Sequence, residues 1–401
     1  MKASAGSPRR VLIIVENLPS PFDRRVWQEA CALRDAGYVV TIICPKGRGF
    51  ESARELIDDI LILRHPQPLE ADGALGYLLE YGAALFWEMA LALRVAFGRG
   101  FDVIHACNPP DTIFIVGAFF RIFGKRFLFD QHDIGPELFE AKFGRRGALY
   151  WIVRGLERLT YATARVVIAT NESYRKIALT RGHVNPADVF IVRSGPDLTR
   201  CVPVAPDPAL FRGRNHLVGY VGVMGKQEGI DYLLRSVAWI VHKRGRGDVQ
   251  FCLVGAGTEL ENMQRYAKEL GVEDYVTFTG RAPDELLFRV LSSADVCVNP
   301  DPVNPMNDKS TMNKIMEYMA FGKPIVQFEM TEGRYSAGDA SVYSSPNDEV
   351  DFAVKILELL DDPVKGRAMG ALGQERVHSE LAWKYQVPRL LEAYERLFSG
   401  V

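Results

Sequence analysis

With 401 residues, 48% of them hydrophobic and 24% charged, the chain has the make-up of a soluble globular protein and the length of two domains. A net charge of −2 gives no sign of bulk nucleic-acid binding, so nucleic acid is not an expected partner. Six cysteines (Cys31, Cys44, Cys107, Cys201, Cys252 and Cys297) form no CxxC pair and have no histidine cluster beside them, which argues against a disulfide scaffold or a zinc ribbon and for reduced thiols.

The stretch Met1–Arg10 is short and polar and has no apolar signal region, so a cytoplasmic location is expected. Apolar, β-rich runs then follow at Val11–Val15, Val39–Cys44, Ile60–His65, Val103–Asn108, Arg126–Asp130, Val166–Thr170 and Val189–Arg193. Helical patterns separate most of them, the first near Asp23–Ala36. Continuous apolar strands alternating with helices predict a parallel sheet covered on both faces, a doubly wound α/β domain over residues 1–195. Ala74–Phe97 is long and apolar, but Glu80, Glu88 and Arg94 interrupt it. Charges at mid-span cost about 2.5–3.5 kcal/mol each, so a buried or membrane-surface helix is expected there rather than a span. Residues 196–208 hold four prolines and no periodicity, as a linker does. Over residues 209–381 the scheme restarts, with strands expected at Leu217–Gly222, Val249–Gly255, Val276–Gly280, Val296–Pro300 and Pro324–Phe328. Helices are expected at Ile230–His242, Glu259–Leu270, Val350–Leu360 and Pro363–Leu381, and a final one, Trp383–Phe398, falls within residues 382–401. Two such domains would place two sets of strand carboxyl ends across one cleft, which suits group transfer between two substrates.

Chemistry-bearing residues gather at those strand ends. After the first strand comes Asn17–Val26, with Asp23, Arg24 and Arg25; either arginine would meet an acceptor phosphate or merely solvate a helix start. Asn108 ends another strand on the same edge, a candidate acceptor-side residue. His132 and Asp133 follow a further strand, at the cleft edge, as candidate catalytic residues or as structural ones. Residues 140–165 mix Lys142, Arg145, Arg146, Arg154 and Arg158 with Phe143, Tyr150 and Trp151, as a helix on an anionic membrane does, or as a solvated basic face over core aromatics does. In the second half, Gly222 and Gly225 open a turn in which backbone can approach phosphates, with Lys226 beside them. Gly255-Ala-Gly257 lacks the rest of a dinucleotide fingerprint. Arg281 follows Gly280, to stack on a base or to face solvent. The richest stretch is Asn299–Val326: a strand end, a loop with three prolines, and a helix expected to begin near Ser310 and stop at Gly322. The backbone N–H groups of Ser310, Thr311 and Met312 would form an anion site suited to a diphosphate, unless Asp308, Ser310 or Thr311 simply caps the helix. Glu317, about two turns further on, could accept bonds from a ribose diol.

Glu317, Ala320, Gly322, Pro324 and Ile325 fall in the pattern of retaining glycosyltransferase family 4, and the resemblance covers nearly the whole chain. It is similar to a bacterial surface-polysaccharide subgroup in which a Gly-x-Met-x-x-Gln-x-Gly turn occurs together with Asp-Lys-Ser-Thr. The resemblance implies the GT-B fold: two doubly wound, Rossmann-like parallel-sheet domains facing a cleft, with the C-terminal helix crossing back to the first. It implies a nucleotide-sugar donor (UDP- or GDP-sugar) with Glu317 on its ribose, the helix start on its phosphates, and a histidine near His132 on donor sugar or phosphate. Three positions depart from the family. Lys309 stands where an acidic residue contacts donor hydroxyls; it would pair with the diphosphate or meet a uronic or amide-bearing sugar. Val223 and Glu228 replace a usual arginine and lysine, leaving Lys226 as the nearest cation. No Asp-x-Asp occurs, so no metal or other cofactor is expected, and helix dipole and lysine would neutralise the leaving diphosphate. The expected function is retaining, metal-independent glycosyl transfer, with His132, Lys226 and Asp133 in catalytic roles. The expected acceptor is a lipid-linked or oligosaccharide glycan, with peripheral association at an anionic membrane. A sugar-nucleotide epimerase and a non-catalytic nucleotide-sugar-binding protein are the alternatives.

Overall fold

The structure, a computed structural model, describes residues 8–66, 73–144 and 146–399, and of residues 73–80 and 142 the backbone only. The signal-region reading of residues 1–7, Arg145, and the side chains of Glu80 and Lys142 therefore lie outside the described residues.

The fold divides into two units, Met1–Arg193 with Gln386–Val401, and Ser194–Tyr385. In the first, eight strands form one sheet: β1 (Arg10–Ile14), β2 (Val39–Pro45), β3 (Arg54–Ile57), β4 (Ile60–His65), β5 (Val103–Cys107), β6 (Arg126–Gln131), β7 (Val166–Ala169) and β8 (Val189–Ile191). Their order is β3-β4-β2-β1-β5-β6-β7-β8. Leu12 of β1 pairs in parallel with Thr41 on one side and Ile104 on the other. Both faces of these strands are buried because helices cover them, which is why their sequences read as unbroken apolar runs. The exception is β3, an antiparallel edge strand joined to β4 through Asp58 and Asp59, both at positive φ (48° and 63°). A two-residue turn of that hand matches the strand twist, and aspartate tolerates it.

Helices α1 (Arg24–Asp35), α2 (Gly73–Phe97), α3 (Phe114–Arg121), α4 (Gly135–Phe143), α5 (Ala148–Thr163) and α6 (Glu172–Thr180) pack on this sheet. Along α2, Ala84, Glu88, Ala92 and Val95 form the buried stripe, while Phe86, Trp87 and Phe97 are exposed. Among the described residues no helix is long and apolar enough to cross a membrane.

The second unit carries β9 (His216–Val221), β10 (Val249–Val254), β11 (Val276–Gly280), β12 (Val296–Asn299), β13 (Ile325–Phe328) and β14 (Ser341–Ser344), all parallel, in the order β11-β10-β9-β12-β13-β14. Its helices are α7 (Ile230–Ala238), α8 (Leu260–Glu269), α9 (Asp284–Ser293), α10 (Asn313–Ala320), α11 (Thr331–Ala337), α12 (Glu349–Asp361) and α13 (Pro363–Arg376). The last helix, α14 (Trp383–Phe398), begins in this unit and from Gln386 onward belongs to the first. Leu390, Ala393, Tyr394 and Leu397 are fully buried there, and Tyr394 meets Tyr38 edge-on at 5.3 Å.

In each sheet the strand order reverses once, between β1 and β5 and between β9 and β12. At such a point the helices leave to opposite faces, and the carboxyl ends of the two strands open a crevice where ligands bind. Asp23, Arg24, Arg25 and Asn108 follow the strands of the first reversal and Gly222 and Gly225 those of the second, while His132 and Asp133 follow β6 and Arg281 follows β11.

Candidate active-site residues

At the β9/β12 reversal, Tyr318 of α10 ties the two strands together: its hydroxyl accepts from Val221 N (2.9 Å) and donates to Val298 O (3.1 Å). Immediately beyond β9, a Cβ at Gly222 would meet the Tyr220 hydroxyl at 2.6 Å and Lys314 Cε at 3.2 Å, so only glycine fits. The turn continues through Gly225, whose N–H donates to Glu228 Oε2 at 2.9 Å. Glu228 therefore closes this turn on itself. Burial, with the charge of Asp301 added and that of Lys314 opposing, pushes its carboxyl up to about 7. Lys226 is exposed on the outside of the same turn.

A different lysine occupies the inside. Lys314 donates from Nζ to both carboxylate oxygens of Asp301, at 2.9 and 3.0 Å, with side chains 11% and 2% exposed. Its ammonium lies 5.1 Å from the centre of the Tyr220 ring. Burial raises the Asp301 pKa, and Lys314 opposes that rise. Two of the three ammonium hydrogens serve Asp301, which leaves one for a ligand. Sequence reading passed over Lys314. The signal was its spacing of three from Glu317, which puts both on one face of α10. Ile315, Met316, Tyr318 and Met319 are buried, and Glu317 is half-buried on the opposite side.

The helix itself starts later than expected. A 3₁₀ turn spans Asn307–Lys309, Ser310 and Met312 are extended, and α10 begins at Asn313 with no side-chain cap. Asp308, the residue best suited to cap, instead accepts from Thr331 N (2.8 Å) and Thr331 Oγ1 (3.2 Å). Ser310 N is bonded to Asn307 O at 3.2 Å, and its Oγ donates to Met306 O at 2.9 Å. The expected anion site on the N–H groups of Ser310, Thr311 and Met312 is thus not a helix terminus; the terminus is at Asn313 and Lys314. Lys309 donates to Pro305 O at 2.8 Å. Arg281 is exposed beyond Gly280, which holds φ +67°.

In the first unit, Asp23 caps α1 by accepting from Val26 N at 3.1 Å, and Arg24 is exposed. Arg25 is not a surface residue as expected. It is 8% exposed, bonds Asp130 through Nη2 (2.7 Å) and Nε (3.1 Å), bonds Glu29 through Nη2 (3.0 Å), and donates from Nη1 to Val192 O (2.8 Å). Its place one turn before Glu29 turned it inward, onto a buried carboxylate pair. Although burial opposes it, the charge of Arg25 holds Asp130 well below the ordinary carboxylate range. Burial drives Glu29 well above that range, against Arg25. Of the two buried carboxyls, Asp130 is the ionised one. His105 lies against both, 3.5 Å from each, with its pKa lowered by burial, and bonds the Tyr394 hydroxyl through Nδ1 at 2.9 Å.

Asn108 is 2% exposed and builds the turn after β6 rather than lining a surface. Its Oδ1 accepts from His132 N (2.8 Å) and Asp133 N (3.2 Å), and its Nδ2 donates to Asp133 O (2.9 Å) and Asp111 Oδ1 (3.2 Å). His132, 15% exposed, sits with Nε2 2.6 Å from Asp130 Oδ2. Among the described residues, two side-chain groups have metal-ligand types close together: His105, Cys107 and Asp130, and Glu29, Asp130 and His132. The Arg25 guanidinium already binds Asp130, the one carboxylate they share, and Glu29 of the second group, so a dication would have to displace it.

Residues 23–200 match the family described as Glycosyltransferase Family 4, and residues 215–362 match that described as Glycosyl transferases group 1. A D-inositol 3-phosphate glycosyltransferase of Thermomonospora curvata is 28% identical over 264 residues, 60% of this chain and 59% of that protein. A GDP-mannose-dependent monoacylated alpha-(1-6)-phosphatidylinositol monomannoside mannosyltransferase of Corynebacterium glutamicum is 25% identical over 49% of this chain and 53% of its own. The chain thus matches only about half to three fifths of the length of these relatives. Among solved structures, sucrose-phosphate synthase from Thermosynechococcus elongatus superposes with a TM-score of 0.80 at 21% identity, covering 98% of this chain and 99% of that one. Anabaena HepE in complex with UDP-glucose gives 0.70 at 15% identity, covering 96% and 99%. WaaG, a glycosyltransferase involved in lipopolysaccharide biosynthesis, gives 0.71 at 13% identity over 97% and 100%. The two Rossmann-like sheets are those of the GT-B fold, and the chain carries a Glycosyltransferase Family 4 domain followed by a Glycosyl transferases group 1 domain, the make-up of a glycosyltransferase.

Proposed function

We propose that the chain transfers a glycosyl group from a nucleotide-sugar donor to a lipid-linked glycan acceptor in glycoconjugate biosynthesis, with retention and without a metal. The observation that carries this reading is the β9/β12 crevice, where the Gly222 turn, the start of α10, Lys314 and Glu317 come together. A diphosphate there would meet backbone N–H groups and one ammonium, and Glu317 would accept from the ribose diol. Positive charge fixed in advance at the leaving group stabilises the transition state without reorganisation, which is the role a metal has in other transferases. Retention is part of the proposal and is taken from the resemblance to retaining family 4: on a front-face path, the departing phosphate would take the proton of the attacking hydroxyl while the new bond forms on the side the old one leaves. Lys226, which is exposed, and Lys309, which donates to Pro305 O, would reach the diphosphate only from outside these groups, and His132 and Asp133 follow β6 of the first sheet.

The acceptor is inferred from a surface. Phe119, Ile122 and Phe123 at the end of α3, and Trp151 and Ile152 on α5, are exposed, and α3 packs against both α2 and α5. Arg154 lies over the Trp151 ring at 5.4 Å. Apolar side chains among arginines suit an anionic bilayer, where each basic residue contributes about 1 kcal/mol. The relatives that act on phosphatidylinositol mannosides favour a lipid acceptor as well.

Incubation with radiolabelled UDP- and GDP-sugars and a bacterial lipid extract, in EDTA, tests the reading. Label entering the organic phase supports it. Interconversion of the free nucleotide sugar, or no label transfer from any donor, argues against it. Flotation with phosphatidylglycerol vesicles tests the membrane face, and a protein that stays at the bottom of the gradient removes it.

A further inference from the structure

His132 is held at two points, and the second is itself braced. Its main-chain N–H is fixed by Asn108, its ring nitrogen Nε2 lies 2.6 Å from Asp130 Oδ2, and Asp130 is itself gripped by Arg25 through two bonds. The Asp130 carboxylate is fully buried and ionised, and a contact that short to it requires a hydrogen on Nε2. Arg25 Nε also lies 3.1 Å from His132 Nε2, but two N–H groups cannot share one line. The Arg25 hydrogen therefore goes to Asp130 Oδ2, also at 3.1 Å. With Nε2 committed, Nδ1 is the ring nitrogen left for a ligand. Behind this pair, Glu29 and His105 face Asp130 from α1 and β5, and His105 is braced by Tyr394.

We propose that Asp130 is a positioning residue, which fixes the His132 ring as its Nε2–H tautomer and presents Nδ1 to the reacting sugar or phosphate. The proposal rests on the transferase reading above for what His132 meets. It does not rest on it for how the ring is held. A neutral ring in this tautomer offers Nδ1 as an acceptor for a hydroxyl hydrogen; the opposite tautomer would offer a donor and lose the bond to Asp130.

The test is a double-mutant cycle of Asp130→Asn and His132→Gln on turnover of the nucleotide sugar that the chain uses, with hydrolysis of that donor as the readout if no acceptor is in hand. Asp130→Asn alone should lower kcat about 10- to 100-fold, within the range of single acid–base groups, and leave donor KM within about threefold. In the His132→Gln background it should cost nothing further. Equal losses in both backgrounds, or a fully active His132→Gln, overturn the proposal while leaving the transferase activity standing. Where Asp130→Asn does not fold, or no donor is turned over, long-range ¹H–¹⁵N spectra of the unaltered protein decide. A His132 signal of the Nε2–H tautomer supports the proposal, and an Nδ1–H signal refutes it.

Discussion

Glu88 offers a test of the first unit that needs no substrate. It is 1% exposed on the buried stripe of α2, and its Oε2 has no hydrogen-bond partner. Burial, and next the charge of Glu16, pushes its carboxyl from 4.5 up to about 8. Between those two values the native state keeps a proton that the unfolded chain has released. Stability from this group is therefore complete below pH 4.5 and is lost as pH rises toward 8. Each pH unit costs about 1.4 kcal/mol, so the penalty is roughly 0.7 kcal/mol at pH 5 and about 3 kcal/mol at pH 7. Glu88→Gln keeps the shape and removes the proton. Its stability relative to the unaltered protein should climb by about 2–3 kcal/mol between pH 5 and pH 7 and level off above 8. Urea unfolding at half-unit pH steps, followed by a probe in the first unit, measures that difference. A difference that is flat with pH, or that falls as pH rises, would refute the burial of an uncompensated carboxyl at this position.

The remaining predictions concern the β9/β12 crevice. Lys314→Met should weaken nucleoside diphosphate binding at least 10-fold, whereas Lys226→Ala on the outer side of the turn should change it less than threefold; isothermal titration calorimetry separates the two, and the reverse order would put the phosphate on the turn's outside. Because Glu228 titrates at about 7 beside Lys314, an anion bound there favours its protonated form. Diphosphate affinity should therefore fall as pH rises through 7, by up to about tenfold per unit. Glu228→Gln should flatten that dependence, and a pH profile unchanged by the substitution would separate Glu228 from the phosphates.

Among the described residues, twelve of the fourteen strands were legible because buried parallel strands are written as unbroken apolar runs. The two that were not show where that signal ends. Residues 54–57 form an exposed antiparallel edge with alternating burial, and their turn is Asp58-Asp59 rather than the usual asparagine–glycine pair. Ser341–Ser344 is a short edge strand with a serine at each end. The site was legible as places more than as contacts. Gly222, His132 and Asn108 stand just beyond strand ends, and Glu317 stands within α10, where the sequence puts them. Arg25 was read as a surface cation because nothing in a linear sequence says that Glu29 and Asp130 are buried on either side of it. The start of α10 was misplaced by three residues because Asp308, a good capping residue by type, is drawn away by Thr331 from a distant segment. Lys314 was missed for a similar reason: its partner, Asp301, lies thirteen residues back, and only the fold brings the two together.

The most direct test of donor binding at the β9/β12 crevice is a thermal-shift screen of UDP, GDP, ADP and their sugars in EDTA, run on the unaltered protein and on Glu317→Ala. One nucleotide at about 100 times its dissociation constant should add about 2.7 kcal/mol of stability without metal, and Glu317→Ala should lose that shift. A shift that appears only with Mg²⁺, a shift that Glu317→Ala keeps, or none with any nucleotide would contradict it.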